Sequence, residues 1–257
     1  MPFGPGETLF LAACVFFAGV VDALAGGGGL ITLPAYLAVG LNPALILGTN
    51  KLVSSIGTVV STVRYHRALK FPLAAFHPVI APSMIGACLG ARAPLLVDPS
   101  WIRPLLLGTL PIVAGLVWSH KDFGTFDESE RLTAAERTRR GVLAAVPIGA
   151  YDGFFGPGTG TFFALAFTRW GKHDLLGATA RAKILNLVSN LAALATFLWA
   201  GRVDWRVGLS MSLLSIAGHW VGSQLGVRRG ARVIRPAVVL VCAGLFAKIL
   251  FDALRGY

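Results

Sequence analysis

The chain is poor in charge and poorest in acid. Only 14% of its 257 residues are charged, and 12 Asp and Glu stand against 23 Lys and Arg. A soluble globular domain carries about 25% charge, so an ordinary water-facing domain is excluded. Cysteine is scarce too. Cys14, Cys88 and Cys242 lie singly in apolar stretches, which excludes a disulfide framework and cysteine metal spacing and leaves small packing residues. No G-x-x-x-x-G-K-[ST] occurs, so the chain does not hydrolyse nucleotides by itself. Gly156-x-Gly158 resembles a fragment of a dinucleotide fingerprint, but the βαβ setting and the final glycine spacing are missing. No Lys or Arg precedes the first apolar segment, and a cleavable signal is not expected. Neither a cofactor nor a metal site is expected.

What is abundant is apolar length. Hydrophobic residues make up 55% of the chain and the mean hydropathy is +0.69. Stretches able to cross a hydrocarbon core of ~30 Å fall near 8–40, 43–63, 73–91, 102–119, 141–168, 177–200, 207–227 and 235–253. The expected class is an all-α polytopic membrane protein whose first partner is the lipid bilayer. The net charge of +11 sits in the short connections, as topology determinants do, so nucleic acid is not an expected partner.

The chain also repeats itself. Asp22 precedes the run Gly26-Gly27-Gly28-Gly29 and then Thr49-Asn50-Lys51; Asp152 precedes Gly156-Pro157-Gly158-Thr159-Gly160 and then Arg181-Ala182-Lys183. Gly86-x-x-x-Gly90-x-Arg92 recurs as Gly222-x-x-x-Gly226-x-Arg228, and Ile102-Arg103-Pro104 as Ile234-Arg235-Pro236. The expected organisation is a first transmembrane repeat over 1–119, a charged cytoplasmic linker over 120–140 and a second repeat over 141–257. The small-xxx-small glycines read as close helix packing.

Charge placement orients the halves. If the first and fifth segments fold back at their glycine loops, the cationic connections near Arg67, the linker, Trp170 and Gly230 share one side. The other side keeps Arg92, Arg103, Arg202, Arg206 and Arg255. The positive-inside rule favours this arrangement: two inverted halves, each with three crossings and one re-entrant segment, and both termini outside. Re-entrant backbone is tolerated only where protein buries it or a cavity adjoins it.

A broken apolar segment at matching places in two halves points to a transporter binding site. Glycine amides and the following half-helices, from Leu30 and from Thr161, can cradle an anion; a tight bend is the plainer reading. Lys51 lies on a polar stripe with Ser54, Ser55, Thr58 and Thr62, and Lys183 on one with Asn186 and Asn190, with Arg181 just before it. An intramembrane cation faces a cavity or a partner, so each lysine is either a ligand for an anion or half of an ion pair with Asp22 or Asp152. Those two acids sit near the carboxyl end of a half-helix, where dipole and burial disfavour a carboxylate. They are the candidates for coupling H⁺ or Na⁺. The candidate substrate-binding residues are Gly27, Gly28, Gly29, Asn50, Lys51, Ser54, Gly158, Thr159, Arg181, Lys183, Asn186 and Asn190. His219, on a stripe with Ser212, Ser215 and Ser223, reads as a packing histidine, with a place in a proton route as the alternative; His77 reads as packing.

These signatures resemble a known family. Asp22-Ala-Leu-Ala-Gly-Gly-Gly-Gly-Leu-Ile-Thr-Leu-Pro34 with Thr49-Asn50-Lys51, and Tyr151-Asp152-Gly153-Phe154-Phe155-Gly156-Pro157 with Ala180-Arg181-Ala182-Lys183 and Asn186, look like the sulfite exporter TauE/SafE family. The resemblance implies a bacterial inner-membrane permease with duplicated halves for sulfite, sulfonates or related anions. Pro157 and Thr159 stand where many relatives have more glycine. The expected function is a secondary carrier of a small anion, able to form oligomers and not an enzyme. An anion channel, a carrier of another metabolite or a cation, and an intramembrane enzyme are the alternatives.

Overall fold

The computed structural model describes residues 3–96, 126–230, 232–234 and 236. The expected segments 102–119 and 235–253, together with Ile102-Arg103-Pro104, Arg235, Arg255 and Cys242, lie outside them. The described residues form helices with no strand among them: α1 (Pro5–Ala25), α2 (Gly29–Ala38), α3 (Pro43–Leu69), α4 (His77–Leu96), α5 (Ala134–Phe154), α6 (Thr159–Arg169), α7 (Leu175–Trp199) and α8 (Trp205–Arg229).

Five of the helices, α1, α3, α5, α7 and α8, start where the sequence satisfies or removes their first free amides. Pro5 and Pro43 open α1 and α3, where a missing N–H costs nothing. The Asn42 side chain accepts from Ala44 N, Asp174 from Gly177 N and Asp204 from Val207 N. Thr133 and Glu136 form a capping box at α5. α1 stops at Gly26, whose φ of 75° is left-handed and whose N–H returns to Asp22 O, a helix end that glycine adopts without a Cβ penalty.

Both glycine loops turn the chain back on itself. Gly28 lies against Ala18 and Asp22 of α1, and Leu11 and Val15 share a core with Leu33 and Tyr36, so α2 runs back along α1. In the second repeat the rings of Tyr151 and Phe162 meet at 5.2 Å and Ala145 packs with Phe163 and Ala164, which returns α6 along α5.

Glycines set the contacts between repeats. Gly218 and Gly222 of α8 sit against the carbonyls of Phe16 and Val20 in α1, and Gly86 and Gly90 of α4 against those of Val146 and Ala150 in α5. Both pairs are parallel, and both use the absence of a side chain to bring backbones together. This packing corrects the repeat register. The sequence match sets Gly86 and Gly90 beside Gly222 and Gly226, whereas their packing counterparts are Gly218 and Gly222. Gly226 instead lies on Tyr65. The small residues recur every turn, so a string match can slip by one turn without loss.

α3 and α7 cross at the centre in opposite directions: Thr62 donates to Lys183 O, and Lys51 reaches Asn190. α8 runs with α3, with Gly208 against Leu52 and Gly226 against Tyr65. α4 runs with α7, since Val79 joins the cluster of Ala182 and Leu185 while Cys88 lies at Ala192. Connections gather accordingly. At one end Glu128 N bonds Lys172 O, Arg140 bonds Trp170 O and Gly230 nears Leu176. At the other, Asp204 N bonds Thr49 and Arg202 adjoins Gly48.

Burial departs from that of a soluble protein on both sides. Leu9, Phe17, Leu89, Leu143, Leu209, Leu213 and Trp199 are exposed, while Thr49, Asn50, Ser55, Thr58, Ser61, Asn186, Ser189, Asn190, Ser212 and Ser215 are buried. An apolar exterior of this extent needs lipid around it. Four stretches, Pro5–Ala25, Pro43–Leu69, Leu73–Leu96 and Leu175–Trp199, are long and apolar enough to cross a membrane. The chain is a multi-pass, all-α membrane protein.

Candidate functional site

Four charged side chains meet inside the bundle, and they pair across the repeats. Lys51 of α3 bonds Asp152 of α5 at 2.7 Å. Lys183 of α7 lies 3.5 Å from the Asp22 carboxylate of α1 and donates to the Asp22 main-chain oxygen. All four are buried: Lys51 is 2% exposed, Lys183 1%, Asp152 1% and Asp22 8%. Two ion pairs removed from solvent are costly unless well bonded, so the surroundings of each decide what it can do.

The Asp22 centre is fully bonded. Its Oδ1 accepts from Gly28 N at 3.2 Å, and its Oδ2 lies 3.0 Å from His219 Nε2. The Asp152 centre is less complete. Lys51 donates to Asp152 Oδ1 and, at 2.9 Å, to Asn190 Oδ1, while Asp152 Oδ2 has no partner among the described residues. Ala87 of α4 lies over Gly153 at the level where α8 presents His219 to the other acid.

The glycine loops lie between these centres. Gly26 meets Gly160 backbone to backbone, so closely that a Cβ on either would collide, and Gly29 meets Pro157. Thr161 donates to Ala25 O. A cavity of about 10 Å³, lined by Gly26, Gly160, Thr161, Thr179 and Lys183 among others, has room for about one water. The two loops are in contact in this conformation.

Most of the sequence-predicted residues converge here. Lys51, Asn190, Lys183, Asp22 and Asp152 bond one another as described, and Gly27, Gly28, Gly29 and Gly158 form the loops. Asn50 accepts from Thr32 of α2 at 2.6 Å. Thr159 is spent locally on Gly156 O. Asn186 is buried one turn before Asn190 and its carbonyl accepts from the Asn190 amide. Ser54 is half-buried on α3. Arg181 stands apart: its guanidinium lies over the Phe71 ring and lines a cavity of about 490 Å³ together with Arg137, Arg140, His173 and Trp170. That cavity opens where the connections gather. His173 there faces Asp127 at 3.2 Å, and burial, aided by the Arg181 charge, lowers its pKa.

Two features escape a sequence reading. His219 touches the acid of α1, where the sequence favours a packing histidine and its serine stripe offers a proton route only as the alternative. The lysines pair with the acid of the opposite repeat, which spacing along the chain does not reveal.

An all-helical bundle with two glycine-broken segments and buried charges at its centre is the architecture in which membrane transporters place a binding site. The profile of the family described as sulfite exporter TauE/SafE matches residues 11–249, and the chain belongs to that family. It is 39% identical over 244 residues to the probable membrane transporter protein ORF9 of Sinorhizobium sp, covering 95% of this chain and 92% of that one. It is 37% identical over 251 residues to the probable membrane transporter protein YfcA of Escherichia coli K12, with 95% and 89% covered. A probable membrane transporter protein of Haemophilus influenzae is 34% identical over 247 residues, with 96% of each chain covered. These names describe membrane transporters, which are not an enzyme class. No solved structure matches the chain.

Proposed function

We propose that this chain is a secondary carrier of a small anion, a sulfur oxyanion or an organosulfonate, in a bacterial inner membrane. The observation that carries the reading is the exchange of partners between repeats, Lys51 with Asp152 and Lys183 with Asp22. Moving one repeat against the other loosens both pairs at once and presents two ammonium groups, which an anion between the glycine loops can satisfy. Asn50, Ser54, Asn186 and Asn190 stand beside them, and Gly27, Gly28, Gly29, Gly158 and Thr159 supply the loop backbone. Arg137, Arg140 and Arg181 around the end cavity favour an anion approaching from that side.

The repeats are inverted in the membrane. The opposed courses of α3 and α7, and of α4 and α8, support this. The end that collects Arg67, Arg140, Lys172 and Arg228 is the cytoplasmic one by the positive-inside rule, and the hairpins at the glycine loops are re-entrant. At least one of Asp22 and Asp152 couples transport to H⁺ or Na⁺. The sulfite named in the family's description is the first anion to try.

The test is sulfite and sulfonate flux into proteoliposomes, with and without a pH gradient, for the wild type and for Lys51→Ala/Lys183→Ala whose folding is checked by circular dichroism. Gradient-stimulated flux in the wild type, lost in the variant, is the expected result. A wild type that moves none of the anions overturns the anion reading.

A further inference from the structure

The hydrogen bonds around His219 require more protons than a neutral histidine beside a carboxylate can provide. His219 Nδ1 lies 2.9 Å from the Ser215 main-chain oxygen, which can only accept. The Ser215 hydroxyl, 3.3 Å from the same nitrogen, lies 3.0 Å from Val53 O and gives its proton there. Nδ1 therefore carries a hydrogen. On the other side Nε2 lies 3.0 Å from Asp22 Oδ2. With Nδ1 protonated, a neutral ring turns its Nε2 lone pair toward an ionised carboxylate, and the two repel. A 3.0 Å contact needs a proton on the line between them, as imidazolium with carboxylate or as imidazole with carboxylic acid.

We infer that Asp22 and His219 form a one-proton site, and that this proton is the one coupled to the anion in the carrier proposed above, on which the coupling half of the inference rests. Among the described residues the other charged groups facing the site are few. α7 presents Lys183, and α3 presents Gly57 against the ring while its Lys51 is committed to Asp152. On α8 itself the buried neighbours are Ser212, Ser215 and Ser223, and Arg64 of α3 is held over the Trp220 ring.

Charge counting links the proton to the substrate. Without it, Lys183 and Asp22 cancel. With it, the cluster carries one net positive charge in a buried setting, which a monovalent anion neutralises. Proton and anion then enter together and leave together. Among the described residues the Asp152 centre has no such site, because Ala87 stands where His219 does in the packing. The halves divide the work: one loads the proton, and the other holds a plain ion pair.

The test uses the full chain in lipid bilayers, labelled with ¹⁵N at histidine and ¹³C at the aspartate carboxyls. His219→Asn assigns the histidine signals. At pH 6 the expected spectrum has a protonated Nδ1 and a proton on the Nε2–Oδ2 line, seen as either a protonated Nε2 or a carboxylic acid at Asp22. Asp22→Asn is expected to leave Nδ1 protonated and Nε2 without a proton, because the asparagine amide donates to the Nε2 lone pair. A bare Nδ1 or an empty Nε2–Oδ2 line at pH 6 overturns the proton site. Coupling is read separately, with a pH dye inside proteoliposomes given an outward sulfite gradient. Proton movement with sulfite that is lost in His219→Asn supports it, and sulfite flux without proton movement overturns it. Absence of sulfite flux counts against the carrier reading, and the spectra still decide the proton site.

Discussion

The two buried ion pairs use the same residue types and differ in what surrounds the carboxylate. Asp22 is held by a lysine, a histidine and a main-chain amide. Asp152 is held by Lys51 alone, and one of its oxygens is without a partner among the described residues. Its lysine is the better bonded of the two, because Asn190 shares it. One centre thus stabilises its acid and the other its base. In duplicated halves such a difference is where the two copies can take separate roles, since the scaffold that positions them is common to both.

Removing a lysine tests the comparison most severely. Lys51→Met strands Asp152, and the expected loss of stability is about 3–5 kcal/mol, the range for breaking a buried pair. Lys183→Met is expected to cost less, about 1–3 kcal/mol, because Gly28 and His219 still satisfy Asp22. Denaturation in detergent micelles measures both, and equal losses would erase the distinction between the centres.

The glycine loops give the next effect. Gly26→Ala forces a side chain into a left-handed position and onto Gly160. A loss of about 1–3 kcal/mol is expected, with lower folded yield and reduced flux. Gly29→Ala, which meets only the Pro157 ring and backbone at 3.1 Å or more, is expected to be milder. The reverse order in melting temperature would show that the loops do not rest on each other at Gly26.

Asn190→Ala and Thr58→Ala sharpen the same contrast. Asn190 follows Lys183 by seven residues as Thr58 follows Lys51, yet Asn190 bonds a lysine and Thr58 Oγ1 has no partner among the described residues. The asparagine change is expected to cost about 1.5–3 kcal/mol, as for a hydrogen bond to a charge, and the threonine change to leave the melting transition in place. A matching cost at Thr58 would mean that Lys183 uses it.

The smallest effect lies outside the membrane, where His173 meets Asp127 in a second His–Asp contact. Burial, then Arg181, lowers the His173 pKa, so the unfolded chain binds that proton more readily. Its contribution is present above the ordinary histidine pKa of about 6.5 and is lost as pH falls through the lower folded value. A pH series of melting curves is expected to show this slope in the wild type and a flatter one in His173→Asn.

Much of the architecture was legible in the chain. Apolar length marked the helices, and Gly26 to Gly29 and Gly156 to Gly160 marked the breaks, because each is a local property of backbone and hydration. The lysines and acids stood out because charge inside apolar sequence is rare. The glycine stripe of α4 and α8 showed that they pack closely, but not at which turn, since the small residues repeat at the pitch of the helix.

What the sequence determined by itself is therefore the class: a helical membrane protein with two similar glycine-broken segments, each with an acid just before the break and a lysine in the helix after it. Tertiary structure decided the partners. Which acid a lysine meets depends on which helices are neighbours, and α3 of one repeat lies against α7 of the other, with α1 beside α8 and α4 beside α5. Only that arrangement sends Lys51 to Asp152 and Lys183 to Asp22. Only the packing register of α8 on α1 brings His219 to a carboxylate, while the same register of α4 on α5 leaves Ala87 beside the other.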